Sequence, residues 1–330
     1  MDNFSPPLVS WYKKTARPLP WREEPTPYRV WVSEIMLQQT RIEAAREYFT
    51  RFVRSFPDVE ALAAADIDDV LKLWEGLGYY SRARNLHKCA KTVCEQYGGA
   101  FPADAAALRG LPGIGDYTAG AIASIAFGLP EPAVDGNVLR VLSRVERFGE
   151  SIGSDKVKKR FREALREIYP ADECGAFTSA LMELGETVCT VGTPDCPRCP
   201  IAGYCAAHRC GEETLYPVQP EKKPRRIESR RVLLLLCGER CAVRRRDDTG
   251  LLASMWELPN DLSPDAPENG EPCGEAVHVF SHVEWHMRGY VVRCAEELPG
   301  YVWVTRKERQ ALAMPTAFRY YRKKLEEMGY

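Results

Sequence analysis

The chain has 330 residues, 45% hydrophobic and 28% charged, which suits about two domains of an ordinary soluble, folded protein. No apolar run approaches the roughly 20 residues of a membrane helix, and the opening MDNFSPPLVSWYKK lacks the apolar core of a signal peptide, so membrane insertion and secretion are disfavoured. Net charge is -1, with 30 basic and 31 acidic residues through Ser229 and 15 of each beyond it, so a nucleic-acid surface has to come from sorting charges onto one face; twelve cysteines are too few for a disulfide scaffold and point to a reducing, cytoplasmic compartment.

From Trp11 to about Cys205 amphipathic helical stretches follow one another, broken by Pro and Gly. The first informative one is Tyr28 to Gln39, a strongly apolar stretch in which the acid Glu34 is costly unless paired or exposed. Glu34 is either an exposed acid on a polar face with Ser33 and Gln38 or a buried acid. Burial would raise its pKa and let it donate a proton near neutrality. Helical periodicity continues over Ala44 to Phe52, Val70 to Leu77 and Ala83 to Tyr97. Then Leu111-Pro-Gly-Ile-Gly115 precedes a small-residue helix from Tyr117 to Phe127. Gly113 and Gly115 permit a tight turn with outward-facing amides, a ready anion site, although a plain helix-turn-helix fits the same residues.

Asp135 precedes the apolar helix Val138 to Phe148 and reads first as its N-cap. A capping carboxylate is stabilised as an anion, which suits a group that must face a cation. The helix Val157 to Ile168 opens with the basic run Lys156 to Arg160, usually a solvated face. Cys189, Cys196, Cys199 and Cys205 form C-x6-C-x2-C-x5-C in a stretch rich in Pro and Gly. Four thiolates so spaced can wrap one soft metal centre; an iron–sulfur cluster, zinc and unrelated buried thiols remain open on spacing alone. Residues 211–229 read as a linker, and from 230 to 330 short β-rich runs, Arg231 to Cys237 and Tyr290 to Cys294, imply a smaller α+β domain.

Taken together the residues resemble the MutY adenine DNA glycosylases of the helix-hairpin-helix superfamily. The resemblance rests on L-P-W-R at Leu19 to Arg22, S-E-I-M-L-Q-Q-T at Ser33 to Thr40, G-L-G-Y-Y-S-R-A-R-N-L at Gly76 to Leu86, L-P-G-I-G-x-Y-T-A-G-A at Leu111 to Ala121, V-D-G-N-V-x-R-V at Val134 to Val141, and the cysteine tetrad. It implies a mostly α helix-hairpin-helix glycosylase domain over 1–210, with a [4Fe-4S] cluster on Cys189, Cys196, Cys199 and Cys205. It also implies a MutT/Nudix-like domain over 230–330 that recognises 8-oxoguanine. The implied partner is double-stranded DNA carrying an adenine:8-oxoguanine mispair. No self-association seam is visible, so a monomer is expected.

In the same reading Glu34 is the acid that protonates adenine N7, and Asp135 stabilises or bonds to the sugar cation left behind, the two-carboxylate logic of retaining glycosidases. Tyr117 falls where lyase relatives carry a lysine, so base removal without strand cleavage is expected. Asn137 and Arg22 match polar neighbours of the pocket. Gln39 and Tyr79 match residues that press into the base stack, and Phe280-Ser281-His282 matches the loop that reads the lesion. Gly113 and Gly115, helped by the run Lys156 to Arg160 and by Arg82 and Arg84, are the expected phosphate grip. No glutamate-rich Nudix box occurs between Gly250 and Phe280, so nucleotide hydrolysis is not expected. One departure is Thr178-Ser179, where the family usually carries Asn followed by Gln or Glu.

Two rival readings remain. An endonuclease III-like glycosylase and lyase is disfavoured by Tyr117 and by the whole second domain. A non-catalytic iron–sulfur DNA-binding module is disfavoured by retention of both Glu34 and Asp135.

Overall fold

The computed structural model describes residues 1–221, 224–263, 267 and 269–330. Residues 222 and 223, in the segment read as a linker, and 264–266 and 268, in the stretch searched for a Nudix box, lie outside the described residues. The chain forms two compact units, Met1–Ala64 with Asn85–Glu221, and Ala65–Arg84 with Lys222–Tyr330.

The first unit is helical because its apolar residues recur at helical spacing and several of its helix starts carry capping groups. Thr26 accepts from Arg29 N at 3.3 Å ahead of the helix Pro27–Leu37, which has Pro in its first turn. Asp135 caps Gly136–Glu146, and Ser154 caps Asp155–Arg166 through Val157 N. The apolar faces meet in one core containing Phe4, Leu8, Val138, Leu142, Phe161 and Phe177. Gly136–Glu146 and Cys174–Thr187 approach so closely that a Cβ on Gly185 would lie 2.6 Å from Asn137 Cβ. The stretch expected as one helix from Tyr117 to Phe127 is α-helical over Asp116–Ala121 and widens into a π-helix over Ile122–Ala126. Its wide turn rests against Gly175, where an added Cβ would meet Ile125 Cα at 3.0 Å.

The second unit is built on a six-stranded sheet. Its strands are β1 (Arg226–Cys237), β2 (Arg240–Arg245), β3 (Trp256–Glu257), β4 (Glu271–Val279), β5 (Val283–Arg293) and β6 (Val302–Thr305). Their order is β3-β2-β1-β5-β4, with β6 also on β2. β1 runs parallel to β5, and its run Val232 to Leu236 is buried on both faces, so it is continuously apolar where an edge strand would alternate. β4 and β5 form an antiparallel hairpin whose loop is Phe280 to His282. The helix Arg319–Glu327 packs Tyr321 and Leu325 into the core with Val232, Leu234 and Met287 of the sheet, and the helix Arg306–Ala311, started by a Thr305–Glu308 capping box, follows β6.

The compact units do not follow the chain-order boundary expected near residue 210. Residues 65–84, from the helical half of the sequence, are held in the second unit by polar contacts. Arg245 pairs with Asp68 at 2.9 Å, Lys72 Nζ donates to Leu312 O at 3.0 Å, Arg84 Nη1 donates to Ala253 O at 2.6 Å, and Arg322 pairs with Glu75. The segment 211–229 is also partly ordered into its neighbours. Glu213–Leu215 is a 3-10 turn, Val218 O accepts from Ile152 N at 3.1 Å, and β1 begins at Arg226.

Gly185→Ala tests the helix contact. The new methyl group overpacks the junction with Asn137, and urea unfolding is expected to show a loss of about 2 kcal/mol. A midpoint equal to that of the parent chain would show that the junction has room to spare.

Candidate active site

A cavity of about 1140 Å³ opens in the first unit, and Arg22, Glu34, Tyr117, Asp135 and Asn137 all line it. The structure therefore brings together five residues drawn from four separate sequence motifs. Glu34 lies on the buried face of Pro27–Leu37, only 6% exposed, which settles the choice between a solvated and a sequestered acid. Tyr117 Oη donates to Glu34 Oε2. Burial pushes the Glu34 carboxyl up to about 7; the Tyr117 hydrogen bond and Arg22 pull it down, and the Asp135 charge pushes it further up.

Asp135 keeps its capping role and faces the cavity as well. Its Oδ1 accepts from Val138 N at 2.7 Å and its Oδ2 from Asn137 Nδ2 at 3.0 Å. Burial raises its carboxyl, and those two hydrogen bonds oppose the rise. Asn137 is itself fixed, because its Oδ1 accepts from Arg140 Nη2 at 2.8 Å. Arg140 also donates from Nη2 to Gly185 O at 2.7 Å and from Nε to Cys189 O at 2.8 Å. A continuous hydrogen-bonded path thus leads from the Asp135 carboxylate to the backbone of the first cysteine of the tetrad.

Sequence reasoning missed Glu183. This acid lines the same cavity and is 2% exposed, on the apolar helix Cys174–Thr187. Arg17 grips it through Nε at 2.6 Å and Nη2 at 2.9 Å, and Arg22 Nη2 adds a third bond at 2.8 Å. Burial alone would raise its carboxyl, but the arginine hydrogen bonds outweigh it and the pKa falls below the ordinary value. The signal was the one that exposed Glu34: an acid inside the apolar helical run Ala180-Leu-Met-Glu-Leu-Gly185. The cavity therefore holds one acid biased towards its protonated form and another biased towards its anion. At the departure noted above, Thr178 turns away from the cavity to bond Tyr169 and Ser124 Oγ, the latter at 2.7 Å, whereas Ser179 lines it.

Around the hairpin, only Gly113 needs to be glycine. Its φ is +75° and a Cβ would lie 2.7 Å from Asn85 Cβ, whereas Gly115 is extended at φ -91° with open space around it. Gln39, at φ 59°, and Tyr79, at φ 48°, both hold left-handed backbone, a strained state for residues with side chains, and both are exposed.

Arg82 and Arg84 both donate to carbonyls within the second unit. Arg82 donates to Leu77 O at 3.1 Å and Gly78 O at 3.2 Å and lies over the rings of Trp74 and Tyr79, while Arg84 is bound to Ala253 O. They brace the segment that carries Tyr79. In the 280–282 loop, Phe280 turns inward, with its ring 4.9 Å from that of Trp285, so Ser281 and His282 are the exposed pair. Ser281 Oγ lies 2.6 Å from Tyr79 Oη, which ties that loop to the strained tyrosine.

Cys189, Cys196, Cys199 and Cys205 are all free thiols. Burial pushes Cys196 up to about 11 and Cys199 up to about 12, and each also feels the charge of the other three or of two of them. Four soft donors gathered where their thiolates would repel one another fit a shared cationic centre. Cys196 also groups with His208 and Glu213, whose ligand atoms lie within 4.8 Å of one another. The other cysteines among the described residues are also free, and Cys89, Cys174 and Cys241 are buried. No helix among the described residues is long and apolar enough to cross a membrane.

Residues 32–167 match the HhH-GPD superfamily of base excision DNA repair proteins, and residues 231–324 match the NUDIX domain. In fold, the chain is similar to a thermostable thymine-DNA glycosylase, with a TM-score of 0.56 and 25% identity over 63% of this chain and 95% of that one. An endonuclease III structure has a TM-score of 0.52 at 24% identity, which speaks for the fold alone. These matches define a helix-hairpin-helix DNA repair glycosylase joined to a Nudix-type domain. The adenine DNA glycosylase of Rattus norvegicus is 34% identical across 94% of this chain and 76% of its own length, and that of Homo sapiens is 33% identical across 96% and 72%. The chain belongs to the adenine DNA glycosylase family.

Glu183→Gln keeps the shape and removes the charge that compensates Arg17 and Arg22. Because both arginines are partly solvated, the expected loss in unfolding free energy is about 2 kcal/mol. Unfolding curves of the two proteins, compared at neutral pH, measure it directly; coincident curves would remove the ion-pair argument.

Proposed function

We propose that this chain removes adenine mispaired with 8-oxoguanine from duplex DNA and leaves the strand uncut. The observation that carries this reading is the buried Glu34 carboxyl, raised to about 7 and bonded to Tyr117 in the cavity that Asp135 also lines. A flipped-out adenine enters the cavity, and Glu34 donates its proton to N7. The C1′–N9 bond then breaks, with its electron pair leaving on the now neutral base. Asp135, held by Val138 N and Asn137, faces the oxocarbenium carbon and stabilises or bonds to it until water adds. Arg22 and the Glu183 anion supply a polar wall able to hold the edge of a purine. Tyr117 has no amine to form an imine with the sugar, which supports base removal without lyase chemistry.

Gln39 and Tyr79 act as the wedge beside the lesion, and the amides around Gly113 and Gly115 contact phosphate. Ser281 and His282 sense the 8-oxo oxygen or the N7–H of the opposite base. Cys189, Cys196, Cys199 and Cys205 hold a [4Fe-4S] cluster. When bound, that cluster supplies structural order to the loop and takes no part in breaking the glycosidic bond. The protein works as a monomer in the cytoplasm.

Single-turnover excision from an adenine:8-oxoguanine duplex tests the assignment. Because the working form of Glu34 is protonated, the rate is expected to fall as pH rises through about 7. It should fall again on the acid side as Asp135 takes up a proton. Glu34→Gln should bind the duplex and lose excision by at least about 10²-fold, and strand breaks should require alkali. A Gln variant cutting at the parent rate, or efficient borohydride trapping of the parent on DNA, would overturn the mechanism.

A further inference from the structure

Arg144 lies on the helix Gly136–Glu146 and is 2% exposed. Its Nη1 is 3.2 Å from Cys189 Sγ and 2.8 Å from Thr190 O, and its Nη2 is 3.0 Å from Gly192 O. On the far side of the tetrad, its Nε donates to Glu213 O at 2.9 Å and Tyr216 O at 3.0 Å. Its own carbonyl accepts from Cys205 Sγ at 3.3 Å. One side chain therefore binds the loop that leaves Cys189, the segment that follows Cys205, and a sulfur of the tetrad.

Among the described residues no carboxylate pairs with this guanidinium, in contrast to Arg17 and Arg22. A buried cation without an anion is costly, and carbonyl dipoles offset only part of that cost. The negative charge within reach is sulfur. We infer that Arg144 is the clasp and counter-ion of the cysteine tetrad: it closes the loop around the metal centre, donates a hydrogen bond to the Cys189 thiolate, and makes the thiolate-bound centre easier to reduce. This is a positioning role and rests on the reading of the tetrad as an iron–sulfur site. Neighbouring Arg140 differs, because its bond to the tetrad is to the Cys189 carbonyl and its others go to Gly185 O and Asn137.

The test uses the full chain with Arg144→Lys, Arg144→Gln and, as a control, Arg147→Gln, which removes an exposed charge paired with Glu212. Iron and labile sulfide content, the rate of iron release to a chelator and the reduction potential are read on each purified protein, with circular dichroism reporting the fold. Arg144→Gln is expected to release iron about 10-fold faster than the parent and to shift the potential to more negative values. Arg144→Lys keeps the charge without the five-donor fork, so it should also release iron faster while holding a potential nearer the parent's. Arg147→Gln should match the parent. If Arg144→Gln does not fold, Arg144→Lys carries the test through iron release. Parent-like release and potential in the folded Arg144 variants would overturn the clasp while leaving the cluster reading intact. A parent chain free of iron and sulfide would overturn both.

Discussion

A carboxyl group kept away from water is the constraint on which the first unit's chemistry depends. An acid with a side chain as solvated as most glutamates would be ionised at neutral pH and unable to give up a proton. Glu34 avoids this by lying on the buried face of an apolar helix, and burial is the largest influence on its pKa. The Tyr117 hydrogen bond works the other way, so the carboxyl settles near neutrality, where a general acid is both protonated often enough and willing enough to donate. Glu183 shows that the cavity does not treat all acids alike. It is just as buried, but two arginines reverse the outcome.

Arginine is the means by which this fold connects its parts. Arg140 extends the hydrogen bonding of Asp135 and Asn137 to Cys189, and Arg144 joins both flanks of the cysteine loop. Arg82 and Arg84 brace the segment around Tyr79 within the second unit. A planar fork with five donors can satisfy several buried carbonyls at once, which a lysine ammonium cannot do with the same fixed geometry. The left-handed backbone at Tyr79 stores strain, and that bracing and the Ser281 contact hold it in place.

Much of this was legible in the sequence because it depends on local patterns. Helical spacing, the Asp135 cap and the apolar run of β1 each follow from a few neighbouring residues, and the motif residues Glu34, Tyr117 and Asp135 do line one cavity. What escaped depends on contacts distant in the chain. The place of residues 65–84 in the second unit is fixed by partners such as Leu312 and Arg245, which no local pattern announces. The π-helix at Ile122–Ala126 reflects packing on Gly175. The bonds of Arg82 to Leu77 O and Gly78 O and of Arg84 to Ala253 O are likewise visible only in the fold. Glu183 carries the same signal as Glu34, an acid in an apolar helix.

In the mechanism proposed, a proton passes from Glu34 to N7 of the excised base. The most direct measurement places 7-deazaadenine, which has carbon where adenine has N7, opposite 8-oxoguanine and follows binding and single-turnover excision by the unmodified chain. This duplex is expected to bind about as well as the adenine duplex and to yield no free base. Excision of 7-deazaadenine at a rate close to that of adenine would show that the base leaves without protonation at N7, and the role given to Glu34 would fall with it.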